Sequence, residues 1–116
     1  MNFNQSVLLG RITNIDELKN NPASDSLKFS MATNRSYKDA SGEKREDAQF
    51  HTIVCFNQSA KFISEFGKVG NLVLVEGRIQ SGKYIDKEGA EKYYTEIVAD
   101  KVELQPKNLQ KTETEF

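Results

Sequence analysis

The chain has 116 residues, which suits one domain with one modest hydrophobic core. Its 16 basic and 17 acidic residues leave a net charge of −1, so overall charge gives no sign of the basic surface typical of nucleic-acid binders. One cysteine excludes an intramolecular disulfide and, with one histidine, a zinc site built from thiolates and imidazoles. No signal peptide and no membrane-spanning run is recognised. We therefore expect a cytoplasmic domain without membrane association, metal or cofactor.

The first half of the chain contains three segments with the pattern of β-strands. Residues 6–12 form a short apolar run bounded by polar residues. Residues 27–33 alternate between apolar and polar side chains, and residues 50–56 are rich in β-branched and aromatic side chains. Polar connectors are predicted between these strands, over residues 14–26 and 38–47.

At the start of the second half, the spacing of apolar residues changes from the alternation typical of a strand to the spacing typical of a helix. Residues 58–67 carry apolar side chains three residues apart, which predicts a short helix. Residues 72–79 predict a fourth strand, and Gly77 interrupts it in the way typical of a bulge. A turn signal at residues 86–89 separates this strand from a fifth one over residues 93–104.

Three strands, a short helix and two further strands make a compact all-β chain. This order favours a five-stranded OB-fold Greek-key barrel with the helix between strands 3 and 4. An SH3-like barrel and a β-sandwich remain open from the pattern alone. Residues 1–104 are predicted to form the domain. Residues 105–116 lack hydrophobic periodicity, which predicts a short flexible tail.

Several aromatic residues do not suit a simple core pattern. Tyr37 lies in a very polar stretch, and Tyr84 precedes a turn. Phe50 and Phe56 share one face of the third strand, because six positions separate them. Exposed rings beside Lys and Arg suit single-stranded nucleic acid, since every base has a face that can stack, but isolated surface aromatics are also common. Core packing explains other phenylalanines on apolar faces, namely Phe29, Phe62 and Phe66.

Five segments occur in an order and at a spacing that together are specific. They are residues 4–12, 29–39, 49–56, 70–79 and 93–100. In this order they resemble the strands, the polar loop and the helix exit of bacterial single-stranded DNA-binding proteins, and the match runs over residues 4–104. The resemblance implies an OB barrel that binds single-stranded DNA without catalysis and protects it in replication, recombination and repair.

The resemblance also implies particular site residues. The family stacks bases on four aromatic side chains, mostly Trp, and the matching positions are Tyr37, Phe50, Phe56 and Tyr84. The basic residues expected to contact phosphates are Arg11, Arg35, Lys38, Lys61, Arg78, Lys83, Lys87 and Lys92. The family is usually a homotetramer, and His51 matches a histidine near its subunit contact. A histidine satisfied by a neighbouring strand fits the sequence equally well.

The chain departs from the family in its charges and its tail. Several of the family's basic positions are occupied by Gln5, Thr52, Gln58, Gln80 and Gly82. Fewer phosphate contacts predict a shallow dependence of affinity on salt. The tail lacks the family's long linker and acidic run. It keeps Glu113, Glu115 and a terminal Phe116, which imply docking of replication and repair proteins, with a trimmed, functionless end as the alternative.

Other functions stay open to different degrees. The missing basic residues and the short tail also suit an OB module that mainly binds protein, as a replication accessory. Stacking does not read the 2′-hydroxyl, so RNA remains an alternative ligand. An enzyme is not expected, because the sequence has no phosphate-binding Gly-rich loop, no metal-ligand spacing and no catalytic partner for His51.

Overall fold

A computed structural model describes residues 1–106 of the chain, which form six strands and one helix. The strands are β1 (Ser6–Ile15), β2 (Lys19–Asn20), β3 (Asp25–Lys38), β4 (Lys44–Phe56), β5 (Leu72–Ile85) and β6 (Glu91–Leu104), and the helix is α1 (Asn57–Phe66). In this part of the chain, no helix is long and apolar enough to cross a bilayer. The predicted docking residues Glu113, Glu115 and Phe116 lie outside the described residues.

Five of these strands close into a barrel. β1 pairs antiparallel with β5, β5 antiparallel with β6, and β6 parallel with β4. β4 pairs antiparallel with β3, and β3 pairs with β1, which completes the ring. The two-residue β2 only extends the edge of β3. The five-stranded OB-fold barrel is thus confirmed, and α1 lies between its third and fourth strands once β2 is left out of the numbering.

The barrel interior is filled by alternate side chains of the strands. Phe29 and Met31 of β3 and Ile53 of β4 are at most 1% exposed. α1 covers one end of this core with Ala60 and Ile63, which are both buried. Because side chains alternate along a strand, the even-numbered positions of β4 point out of the barrel. The inward packing of β4 therefore determines which of its residues can meet a ligand.

Phe66 is not a core residue, so this prediction from the helix period is wrong. Its side chain is 58% exposed, and its ring packs on Phe62 with centroids 5.5 Å apart. Phe62 is the partly buried member of the pair. The helix contacts the core through Ala60 and Ile63 and ends at Phe66, so its last side chain lies beyond the packed interior.

The two long hairpins extend further than the sequence predicts. β3 and β4 pair without interruption out to Lys38 and Lys44, within the predicted connector over residues 38–47. β5 and β6 pair out to Ile85 and Glu91. These tips carry mainly polar side chains, so hydrophobic alternation does not predict strands there. The strands are held together at the tips by the backbone hydrogen bonds of the ladder. The bulge predicted at Gly77 is confirmed by the register shift at that residue.

Both hairpins close with the same kind of turn. Each turn begins with an aspartate, Asp39 or Asp86, whose carboxylate accepts hydrogen bonds from the backbone amides two and four residues later. The glycine three residues after each aspartate has a positive φ, 85° at Gly42 and 83° at Gly89, which other residues adopt only with strain. Together these features hold the strand ends in register.

The Asp39 turn is expected to loosen in acid. Hydrogen bonds from the Ser41 hydroxyl and the Arg45 guanidinium lower the pKa of Asp39 to about 2, from an ordinary value of 3.8. Because the pKa is lower in the folded chain, ionised Asp39 stabilises the turn at pH values above about 4 and this stabilisation is lost as the pH falls toward about 2. Amide hydrogen exchange should therefore show protection at Glu43 declining over that pH range. In Asp39→Asn, whose side chain does not titrate but can still accept the backbone hydrogen bonds, the protection should no longer decline over this pH range. A wild-type turn that stays fully protected at about pH 2 would contradict the prediction.

Candidate nucleic-acid interface

One continuous surface faces outward from β4 and β6. The two strands are paired in parallel with Val54 opposite Val98. Alternation places Phe50, Thr52 and Phe56 on the same side of β4 as Val54. Both valines are buried, so the exposed rings of this surface stand beside a packed apolar floor. We call it the outer face, which consists of the outward residues of β4, β5 and β6.

β5 and β6 add two tyrosines to the outer face. The ladder pairs Arg78 with Val98, and alternation carries the same face along the hairpin to Tyr94 and Tyr84. The two tyrosine rings are tilted by 42° with their centroids 6.4 Å apart. Both rings line an open groove of about 540 Å³ together with Thr52, Thr95, Glu96 and Lys28.

Three of the four predicted stacking residues share this face. Phe50, Phe56 and Tyr84 are 70%, 43% and 54% exposed. Phe56 also lines a neighbouring groove with Val54 and Lys28. Phenylalanine and tyrosine rings exposed in this way offer flat apolar surfaces to a ligand, and the strands beneath hold them at fixed positions.

Tyr37 lies on the other face of the β3–β4 hairpin. The register places it opposite Arg45, on the side to which Met31 and His51 belong. Its ring is 39% exposed, and the guanidinium carbon of Arg35 lies 5.0 Å from the ring centroid. A ligand that contacts both Tyr37 and Phe50 must therefore pass around an edge of this hairpin. The sequence alone does not show that Tyr37 and Phe50 lie on different faces, because this depends on the register in which β3 pairs with β4.

The predicted basic residues differ in how strongly they are already engaged. Four of them form ion pairs with N–O distances of 3.0–3.7 Å: Arg35–Asp47, Lys61–Asp25, Arg78–Asp100 and Lys83–Glu91. Arg11 donates a hydrogen bond to the carbonyl of Gly70. Among residues 1–106, no ion pair involves Lys38, Lys87 or Lys92. Exposed ion pairs are weak, so an anionic ligand competes with the carboxylates rather than being excluded.

The basic residues are also divided between the two faces. Lys92 lies directly opposite Tyr84 in the ladder and therefore belongs to the outer face, whereas Lys83 lies opposite Tyr93 on the other face. Lys28 was not selected from the sequence, yet it lines both grooves, with its Nζ 3.8 Å from Glu96. The sequence does contain a signal for Lys28, because it lies between two apolar residues of β3 that are buried. Alternation along the strand therefore directs its side chain outward.

His51 has a partner within its own barrel. Its Nε2 atom lies 2.8 Å from the hydroxyl oxygen of Thr33 on β3, and the imidazole is partly buried. The contact agrees with the interpretation of a histidine satisfied by a neighbouring strand. Its predicted place in a subunit interface stays a prediction.

Cys55 is buried in the barrel core and has no chemical role at the outer face. Burial raises the pKa of its thiol to about 12, so the sulfur is protonated at neutral pH. A thiol without thiolate character is a poor nucleophile. Cys55 therefore supplies no activated nucleophile to the outer face.

Comparison with known proteins shows which family the chain resembles. Residues 3–105 match the model of the single-strand binding protein family. The chain belongs to that family. A family relative named single-stranded DNA-binding protein, from Staphylococcus aureus, is 35% identical over 116 residues, which covers 98% of this chain and 73% of the relative. Single-stranded DNA-binding protein 1 from Lactococcus lactis is 37% identical over 107 residues, covering 91% of this chain and 70% of that protein.

Two solved structures share the barrel. The Plasmodium falciparum SSB in complex with ssDNA superposes with a TM-score of 0.78 at 26% identity, covering 90% of this chain and 94% of that one. A small single-stranded DNA-binding protein from Streptomyces coelicolor has a TM-score of 0.73 at 20% identity, covering 93% of this chain and 99% of its own. The second likeness supports the fold alone.

Proposed function

We propose that this chain binds single-stranded DNA without sequence specificity, by stacking bases on exposed rings while basic side chains contact the phosphates. The observation that carries the proposal is the outer face, where Phe50, Phe56 and Tyr84 are exposed on the same side of the sheet as the buried Val54 and Val98. Every base has a π face, so such rings hold any sequence. The family relatives named above are single-stranded DNA-binding proteins, and one solved neighbour is a complex with ssDNA.

Two basic residues are well placed to hold phosphates beside the rings. Lys92 faces outward opposite Tyr84, and Lys28 lines both the groove of Phe56 and the groove of Tyr84. Arg35 and Tyr37 extend the path around the edge of the β3–β4 hairpin, where the guanidinium lies near the ring. In this proposal the chain protects an unpaired strand in replication, recombination and repair. Stacking and phosphate contacts involve no making or breaking of covalent bonds, so the proposed function needs no catalysis.

Assembly and partners form the second part of the proposal. We expect a homotetramer with His51 near a subunit contact, because the family is usually a homotetramer and His51 matches a histidine near its subunit contact. Several outer faces in one particle would raise the effective concentration of stacking sites. The folded domain is assigned to residues 1–104 and acts in the cytoplasm. The tail over residues 105–116 docks replication and repair proteins through Glu113, Glu115 and Phe116. The mass in solution, with and without a dT oligomer, tests the assembly.

The alternative is an OB module that mainly binds protein. It is favoured by the net charge of −1 and by the carboxylates that already neutralise four of the predicted cations. Fluorescence anisotropy of a labelled dT oligomer, with duplex DNA and a U oligomer as controls, separates these functions. We expect binding to dT and much weaker binding to the duplex, whose bases cannot stack on the rings. No binding to dT at low salt would favour the protein-binding module, and equal binding to U would leave RNA as a ligand.

Affinity for dT oligomers is expected to fall only gently with salt. Lys38, Lys87 and Lys92 are predicted phosphate contacts that form no ion pair among residues 1–106. If these three lysines supply the phosphate contacts, log K should fall against log salt with a slope of about −2, whereas eight contacts would give about −6. Titrations from about 50 to 500 mM NaCl measure this slope. In Lys92→Gln it should become less steep by about 0.7. A wild-type slope near −6 would mean that the ion-paired residues exchange their carboxylates for phosphates.

A further inference from the structure

The ring of Tyr94 covers a glycine on the neighbouring strand. Gly82 lies directly opposite Tyr94 in the β5–β6 ladder. A Cβ atom built on Gly82 would lie 2.6 Å from Cζ and 2.7 Å from Cε1 of Tyr94 and closer still to its hydroxyl, distances that atoms of real side chains do not reach. The tyrosine ring therefore occupies the space that a side chain at position 82 would fill. Position 82 was recognised in the sequence only as a missing positive charge.

The ring of Tyr94 is also part of the outer face. Tyr94 is tilted against Tyr84 at 6.4 Å, and both line the groove that contains Thr52 and Lys28. Part of the Tyr94 side chain remains exposed. The neighbouring Tyr93 points to the opposite face of the hairpin and is 75% exposed, with its hydroxyl 3.4 Å from the Glu91 carboxylate. Two adjacent tyrosines thus lie in different environments.

We propose that Tyr94 is an additional base-stacking platform, and that Gly82 is the residue that lets its ring lie in the groove. One base of single-stranded DNA enters the groove beside Tyr84 and stacks on Tyr94. This inference deepens the proposed function and rests on it. Because aromatic stacking tolerates any base, a fifth ring adds affinity without adding sequence preference. It offsets part of what the chain loses by having phenylalanine and tyrosine rather than larger indole rings.

The variant Tyr94→Leu removes the ring and keeps an apolar side chain over Gly82. Its affinity for a dT oligomer should fall about five- to 150-fold. Tyr93→Leu is the matched control, since it removes an exposed tyrosine one residue away on the opposite face, and should change affinity less than about twofold. Gly82→Ala displaces the Tyr94 ring and should also weaken binding. In the Tyr94→Leu background, Gly82→Ala should cause no further loss, because the two residues act as one unit.

A measurement on the unaltered chain covers the case in which a variant fails to fold. Photo-crosslinking with a 5-iodouracil oligomer, followed by peptide mass spectrometry, should place an adduct on Tyr94 and none on Tyr93. An adduct on Tyr93 but not on Tyr94 would overturn the inference. So would a folded Tyr94→Leu variant with wild-type affinity, and in that case the proposed function survives if Phe56→Ala still weakens binding. If the wild-type chain does not bind dT at all, both proposals fall.

Discussion

Alanine at both Phe56 and Tyr84 is expected to lower affinity for dT oligomers by at least about 25-fold. Removing one stacking platform costs about 1–3 kcal/mol, which is at least about fivefold per ring. The two rings line different grooves of the outer face, so their contributions should multiply. Fluorescence anisotropy titrations of both single variants and the double variant measure the effect.

The chain offers a matched control for this pair. Phe66 and Tyr93 are also an exposed phenylalanine and tyrosine, but neither lines either groove. Their double alanine variant should bind dT within about twofold of wild type, because it removes aromatic surface without removing a platform. Equal losses in the two double variants would mean that the outer face has no special role. Unchanged affinity in the Phe56 and Tyr84 variant would contradict the stacking site itself.

Phe29→Ala is expected to destabilise the barrel by about 3–5 kcal/mol. Phe29 is 1% exposed on the inner face of β3, and replacing a buried Phe by Ala leaves a cavity that the barrel cannot easily close. Urea denaturation should show a markedly lower midpoint with a similar slope. Such a loss is a large fraction of the stability of a small domain.

Phe66→Ala is the control for the Phe29 prediction. The sequence pattern assigns both phenylalanines to the core, but only Phe29 lies there, and Phe66 contacts Phe62 at the surface. Its replacement should cost less than about 1 kcal/mol. If the two variants were equally destabilised, Phe66 would have a packing role that its exposure does not indicate.

Hydrophobic alternation accounts for most of what could be predicted about the fold. Leu27, Phe29 and Met31 alternate with polar residues, and all three are buried in the barrel as the pattern requires. The outward side of β4 follows from the same rule, which is why Phe50 and Phe56 were correctly placed on one face. The hairpin tips were missed because no core lies beneath them. There the backbone ladder and the aspartate turns at Asp39 and Asp86 stabilise the strands.

The candidate site was only partly predictable. Family resemblance indicated four aromatic positions, but the register places Tyr37 on the other face from Phe50. The family resemblance also indicated a lost positive charge at Gly82, whereas the structure shows the ring of Tyr94 lying over that glycine. Lys28 and Tyr94 carry no motif of their own. Their place in the groove depends on which strand lies beside which.

The sequence by itself determined the order of the main strands, the two faces of β3 and β4 and the aromatic character of the proposed platforms. These properties follow from side-chain chemistry and a two-residue period, which are local. Only the tertiary structure decided which rings and charges share a surface. Strand pairing between distant segments, such as the parallel contact of β4 with β6, joins the face of Phe56 to the face of Tyr84. The register of this pairing depends on closure of the whole barrel, which no local sequence pattern specifies.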